Sequence, residues 1–395
     1  MHVYSVWPYF VVVGGLTLVF SMPPFRFLDP APSDTSGRSS NLDGIRGYLA
    51  LSVMIDHAIV TYRWLLSGDW VVPPATFYDQ LGTMAVAMFF MITGYLFWRK
   101  VIRARGQPNF IKLYVNRFFR IAPVYLTAIA AMVFIVMYRT SFAIHQPLLD
   151  ILKAVSEWSA LGLLGGPDFN AYANVWIILA GVTWTLKYEW YFYFSLFLIS
   201  RAATGIAGSL FPAAVIGLCL LGGKVWPGRD WYLAALFGAG MLVTALPRER
   251  LLTAHNALRS LIAIGILIIL FLGWSTPFGP TQVLLELLFF YLICSDTTIF
   301  GLLRTRAAQR LGHISYSIYL LQGIVLTLVF AHPQVTAFAL RSAANYWLVI
   351  FGSALALALL SAGSYVAIEK PGIALGRRLG SRACDPRSPA SAHKG

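Results

Sequence analysis

The sequence predicts an all-α polytopic transmembrane helical bundle of about 10 to 11 spans with a cytoplasmic C-terminus, and three observations lead there. Of 395 residues, 58% are hydrophobic and only 12% are charged, with a mean hydropathy of +0.69, which is too apolar for a water-soluble domain of this length. Apolar runs approaching the ~20 residues that cross a hydrocarbon core of about 30 Å recur along the chain, separated by short polar connections. Basic residues gather in alternate connections, as they do where one side of a membrane retains them.

The first apolar run, 7–22, has only His2 before it as a basic group and no small-residue cleavage site after it, so it reads as an uncleaved, slightly short anchor. Gly14 and Gly15 leave an interfacial or re-entrant helix open as the alternative. A polar linker, 23–41, follows. Spans are then expected near 44–66, 81–98, 121–138, 186–200, 206–222, 232–246, 258–274, 283–300, 314–330 and 346–368. The stretch 145–182 mixes apolar residues with Asp150, Lys153, Glu157, Gly165, Gly166, Pro167 and Asp168, and is expected to be a structured extracytoplasmic or half-inserted segment. Three regions result: 1–40, an apolar anchor and linker; 41–371, the membrane-embedded domain; and 372–395, a basic tail expected to be disordered, with Ser, Pro and Ala abundant from 381 onward. No internal repeat is visible.

The formal charge of +14 raises the possibility of a nucleic-acid partner, but the basic residues do not form one patch with interleaved aromatics, and no nucleic acid is expected. Alternating the sides of the spans places 23 of the 30 Lys and Arg residues in one set of connections, which is therefore assigned to the cytoplasm. Cys219, Cys294 and Cys384 are odd in number and show no disulfide framework or metal-ligand spacing.

Ionisable groups inside a spanning helix are costly and are functional candidates by default. Asp56 and His57 lie well inside the second apolar run. Arg46 and His57 are eleven residues apart, so at 100° per residue they fall within about 20° of the same face, with Cα atoms about 16 Å apart along the axis. A linear substrate held by an anionic end near Arg46 would reach His57 with its other end. Singly, Arg46 also reads as a snorkelling helix-end anchor and His57 as a packing group. Asp56, about 100° round the helix from His57, is not its natural orienting partner. Arg117 and Arg120, at i and i+3, share a face, and guanidinium pairs suit phosphate. With Pro123 placed in the first turn of the following span, they are expected at a helix N-terminus that also favours anions. Arg99, Lys100, Arg103, Arg105 and Lys112 extend this into a cationic platform fit for a polyphosphate or for anionic lipid headgroups. Glu189, set among aromatics with Lys187, needs a partner: it could orient an acceptor hydroxyl or pair with Lys187 or an arginine. The runs from Ile314 to Gln322 and from Glu369 to Pro371 read as weaker polar signals.

Taken together, Leu42-Asp-Gly-Ile-Arg46 with ten residues before His57, Phe89-Phe-Met-Ile-Thr-Gly94, Arg117-x-x-Arg120, Trp184-Thr-Leu-x-x-Glu189, Ser315-Tyr-Ser-Ile-Tyr319 and Glu369-Lys-Pro371 resemble the acyltransferase-3 family of bacterial integral-membrane O-acyltransferases. The resemblance covers the chain from Asn41 to about Pro371. It implies residence in the bacterial inner membrane, acyl-coenzyme A as cytoplasmic donor with acetyl as the default acyl group, and no permanently bound cofactor or metal. It also implies His57 as the essential base or acyl-handling residue and Arg46, Arg117 and Arg120 as donor-binding or site-organising groups; Arg46 and, from its place among the aromatics, Glu189 are expected beside His57 in catalysis. The implied acceptor is a sugar hydroxyl of a surface glycan, glycolipid or secreted polysaccharide. Three features depart from the pattern: Gln322 stands where members often carry His, Lys187 and Tyr188 precede Glu189, and an apolar run precedes the usual first helix. The competing class is a transporter or flippase with midplane polar groups as its translocation site, but no matched pair of interrupted helices recurs in the two halves of the chain.

Overall fold

In a computed structural model, the described residues are 2–29, 40–72, 74–246, 256–274 and 278–382. Among them the regular structure is helical, apart from one isolated bridge between Phe169 and Tyr172. The helices are α1 (Trp7–Ser21), α2 (Ser40–Ser67), α3 (Thr76–Arg103), α4 (Phe110–Arg139), α5 (Leu148–Ser159), α6 (Trp184–Ile199), α7 (Ala207–Val225) and α8 (Arg229–Ala245). They continue as α9 (Asn256–Gly273), α10 (Pro280–Cys294), α11 (Arg306–His313), α12 (Ser315–Phe330), α13 (Pro333–Leu340), α14 (Ala343–Ser364) and α15 (Lys370–Arg382). Leucine and isoleucine side chains such as Leu198, Ile206 and Leu272 stand more than three-quarters exposed, as lipid-facing residues would.

Among the described residues, six helical stretches are long and apolar enough to cross a membrane: α2, α3, α4, α7, α9 and the rod from α14 through α15. The pair α11 and α12 meet at 66° and add a seventh if taken as one broken span. The expected 10 to 11 spans are reached only if three or all four of α1, α6, α8 and α10 cross as well, and these are 15, 16, 17 and 15 residues long. At 1.5 Å per residue they measure about 22 to 26 Å, short of a full hydrocarbon core. The run expected over 283–300 is cut at Cys294, because Asp296, Ile299 and Phe300 take positive φ and turn the chain toward α11.

Two further expectations are corrected. α4 does not begin at 121: the Asn109 side chain accepts the Lys112 amide at 2.8 Å and starts the helix at Phe110, so Pro123 lies in its interior. Arg117 and Arg120 are therefore mid-helix, and the anion-favouring amides of a helix start are not beside them. The expected tail disorder gives way over 372–382 to α15, which packs along α4. Gly372, Gly376 and Gly380, four residues apart, make that approach possible: a Cβ at Gly376 would lie 2.8 Å from the Phe119 Cβ, and one at Gly372 2.7 Å from the Phe119 carbonyl oxygen. Residues 383–395 lie outside the described residues, and the disorder expected for them with them. Gly376→Leu is expected to cost about 1–3 kcal/mol by overpacking this seam. A lowered thermal midpoint in detergent, with faster tryptic cleavage at Arg377 and Arg378, is the measured outcome.

At the centre, α2 is enclosed by α3, α11 and α12, while α8 covers the far side of α3. The segment 145–182 is structured, as expected. α5 buries Ile151, Ala154 and Trp158 and exposes Leu148, Leu149 and Leu152, which suits a half-inserted element. A short 3-10 helix, Val175–Leu179, closes the segment against α12.

Candidate active site

A cavity of about 420 Å³ lies between α2, α3, α4, α6, α12 and α15. Its lining includes Arg46, Arg117, Arg120 and Glu189, so four of the five site residues expected from sequence converge there. Arg99, Lys100 and Arg377 add three more cations, against Asp43 and Glu189 as the acidic lining groups. The cavity therefore has a strongly cationic pole.

The geometry of that pole follows from a few contacts. Arg117 donates to Glu189 Oε2 at 2.5 Å, and the Tyr193 hydroxyl donates to the same oxygen. The Arg117 guanidinium also lies over the rings of Tyr193 and Phe97, at 4.9 and 5.5 Å from their centroids. Glu189 thus acts as the counter-ion of Arg117, while Lys187 lies over Tyr191 instead. Arg46 faces Asp43 at 4.0 Å, one turn back on α2. Behind these, Glu369 is 1% exposed, accepts from Ser317 at 3.2 Å, and is the anionic neighbour of Arg120 and Arg46. One of its oxygens and the Arg117 Nε are buried without a hydrogen-bond partner.

From this pole the cavity runs inward between apolar walls. Lys100 and Val86 both line it, and the 14 residues between them span about 21 Å of α3. Val86 is one turn from Gly82, against whose Cα the Asp56 side chain packs, so the inner end of the cavity lies one turn from the level of His57. On the opposite wall Tyr319 donates to the Val182 carbonyl at 3.1 Å and shares a 2.8 Å hydrogen bond with Thr185. Gln322, one turn beyond Tyr319, is fully buried, donates to the Tyr319 carbonyl at 2.9 Å and lies close enough to act on the His57 imidazole. Neither His57 Nδ1 nor Gln322 Oε1 completes a hydrogen bond. His57 is not among the lining residues, so the channel expected to join Arg46 to His57 is open at Arg46 and closed for its last turn.

The acyltransferase domain family matches residues 39–365. The chain belongs to the acyltransferase-3 family. One relative is nodulation protein 10 of Rhizobium leguminosarum bv. viciae, 29% identical over 196 residues, which is 43% of this chain and 46% of that protein. The chain thus spans less than half the length of the curated relative it matches. No solved structure matches it.

Within this acyltransferase-3 protein, three residues of the site were given no role by sequence reasoning. Arg377 fell in the tail expected to be disordered, and its signal was the four-residue spacing of glycines around it. Tyr193 and Tyr319 stand in runs that carry the resemblance, but interfacial tyrosines are ordinary there and nothing in spacing separates a cavity tyrosine from a belt tyrosine, so neither was assigned a role. Among the described residues no cluster of three or more potential metal ligands occurs.

Proposed function

We propose that this protein transfers an acyl group, acetyl by default, from acyl-coenzyme A to a carbohydrate hydroxyl in the bacterial inner membrane. The observation that carries the reading is the polarised cavity: six cations at one end, and apolar walls leading about 20 Å inward to within a turn of the half-buried His57. A phosphorylated donor with a long uncharged arm has that distribution of charge. Arg46, Arg117 and Arg120 hold the phosphates, with Glu189 and Tyr193 fixing the Arg117 fork. The thioester then comes to His57, on the assignment of the cationic pole to the cytoplasm with the C-terminus on the same side.

Two routes use the same imidazole. As a base, neutral His57 takes the acceptor hydroxyl proton as the oxygen attacks the thioester carbonyl; the carbon–sulfur bond breaks and the thiolate recovers that proton. As a carrier, the imidazole nitrogen displaces the thiolate, which leaves with the ring N–H proton; the acceptor oxygen then displaces the imidazole, and its hydroxyl proton returns to the ring. The donor half is tested by labelled acetyl-coenzyme A turnover in vesicles. Arg117→Ala is expected to raise the half-saturating donor concentration about tenfold or more, since truncation removes a charge-assisted contact and strands Glu189. Unchanged donor saturation in that variant, or no turnover by the folded wild type, would overturn the proposal.

A further inference from the structure

Beyond His57, on the side away from the cationic cavity, three tryptophans form a connected group. Trp70 stacks over the His57 ring at 6.3 Å between centroids and 29° between planes. Trp64 meets Trp70 edge-on at 6.4 Å, and Trp176 meets it edge-on at 5.9 Å. All three are half-buried. Tryptophans of an interfacial belt face the lipid singly. These come from three separate places, the end of α2, the connection after it and the 3-10 helix 175–179, and turn toward one another and the histidine.

The placement of Trp176 is built into the fold. Asp168 accepts the amides of Asn174 at 3.0 Å and Val175 at 2.9 Å, which starts the 3-10 helix there. The backbone at Leu179 and Ala180 then seats directly against Gly323 of α12, where any Cβ would collide with it. Gly323 follows Gln322, and Val182 in the same segment accepts from Tyr319 at the inner end of the cavity. One segment thus carries the aromatic group on one side and closes the cavity on the other, with His57 between them.

Along α2, Trp64 is 18 residues, or about 27 Å, from Arg46, so the tryptophans and the cations stand at opposite ends of the span. Flat indole faces beside a reacting group, on the side the donor does not use, suit the apolar C–H faces of a pyranose ring, which present hydrophobic patches edged by hydroxyls. We propose that Trp64, Trp70 and Trp176 form the acceptor subsite, holding a sugar ring against His57 from the side opposite the donor. This rests on the acyl-transfer reading above and adds to it where, and on which residues, the acceptor binds.

The test measures transfer of labelled acetyl from acetyl-coenzyme A to the total carbohydrate extract of the source organism, with acceptor and donor titrated separately, for wild type, Trp70→Ala, Trp70→Phe and Trp176→Ala. Both alanine variants are expected to raise the half-saturating acceptor concentration about tenfold while donor saturation stays within twofold of wild type; Trp70→Phe, which keeps a stacking face, should recover most of the loss. Thermal midpoints within a few degrees of wild type identify folded variants, and Trp70→Phe serves where Trp70→Ala does not fold. Acceptor saturation that moves less than twofold in both Trp176→Ala and the folded Trp70 variant, or a change confined to the donor, overturns the subsite. Absence of any transfer by wild type would instead overturn the acyl-transfer reading, and the subsite with it.

Discussion

His57→Ala is expected to lower acyl transfer by at least about a thousandfold, because base and carrier routes both pass through its imidazole and a positioned proton acceptor alone contributes about 10²–10⁴. The donor cavity should be untouched, since His57 does not line it. The variant should therefore still bind acetyl-coenzyme A with wild-type affinity and elute as a folded protein. Binding kept and transfer lost is the pattern to look for in equilibrium dialysis and label transfer on the same sample. Transfer within tenfold of wild type would remove His57 from the chemistry by either route.

Arg310→Ala is expected to have the largest effect on stability. Arg310 is 1% exposed and uses its whole fork: Nε and one Nη donate to the two oxygens of Asp29 at 2.6 and 3.0 Å, and the other Nη donates to the carbonyls of Phe20 and Met22 at 2.8 and 2.9 Å. His313, on the same short helix, bonds the Leu28 carbonyl at 2.8 Å. Together they bind α1 and its following turn to α11, which packs against α2. Asp29 is exposed and water can replace the guanidinium there, so the loss comes chiefly from the buried Phe20 carbonyl left unpaired and the space vacated, about 1–3 kcal/mol. The expected result is a markedly lower thermal midpoint, with Arg310→Lys intermediate because an ammonium cannot bond in a planar fork. Acid should act in the same direction. The Arg310 guanidinium holds the Asp29 carboxyl below its usual range, so the pair's contribution is complete above about pH 4 and is lost as pH falls through that lowered value. Thermal midpoints from pH 7 to pH 3 should fall in the wild type and lose that acid limb in Arg310→Ala.

Much of the fold and part of the site were legible in the sequence, for unequal physical reasons. Apolar composition fixes the solvent, and the eleven-residue spacing of Arg46 and His57 places both on one rod without knowledge of its neighbours. Glu189 was identifiable as a group that needed a partner, but the partner is a tertiary matter: α4 and α6 decide that Arg117 takes it rather than the nearer Lys187. The start of α4 was missed because Pro123 invited a boundary, whereas the operative signal was the smaller one at Asn109. Six or seven spans follow from length and apolarity, and the remainder of the expected 10 to 11 rests on runs of 15 to 17 residues, which look alike in sequence whether they cross, dip or lie flat. The tryptophans around His57 were invisible because their meeting depends on a connection, a cap and a glycine contact far apart in the chain.

Between α14 and α15 the rod passes through a π-helical turn, Tyr365–Glu369, in place of an α turn. Such a turn amounts to one extra residue threaded into a helix that otherwise keeps its count. One residue is about 100° of rotation, so it sets the azimuth of everything after it. With that phase, the glycines of α15 meet α4 and Arg377 reaches the cavity, while Glu369 points inward to the arginines. A chain lacking that single residue would keep its composition and hydropathy, yet it would turn the glycine seam away from α4 and take Arg377 out of reach of the cavity. The alignment of the cationic pole is in this sense written as a count rather than as a kind of amino acid.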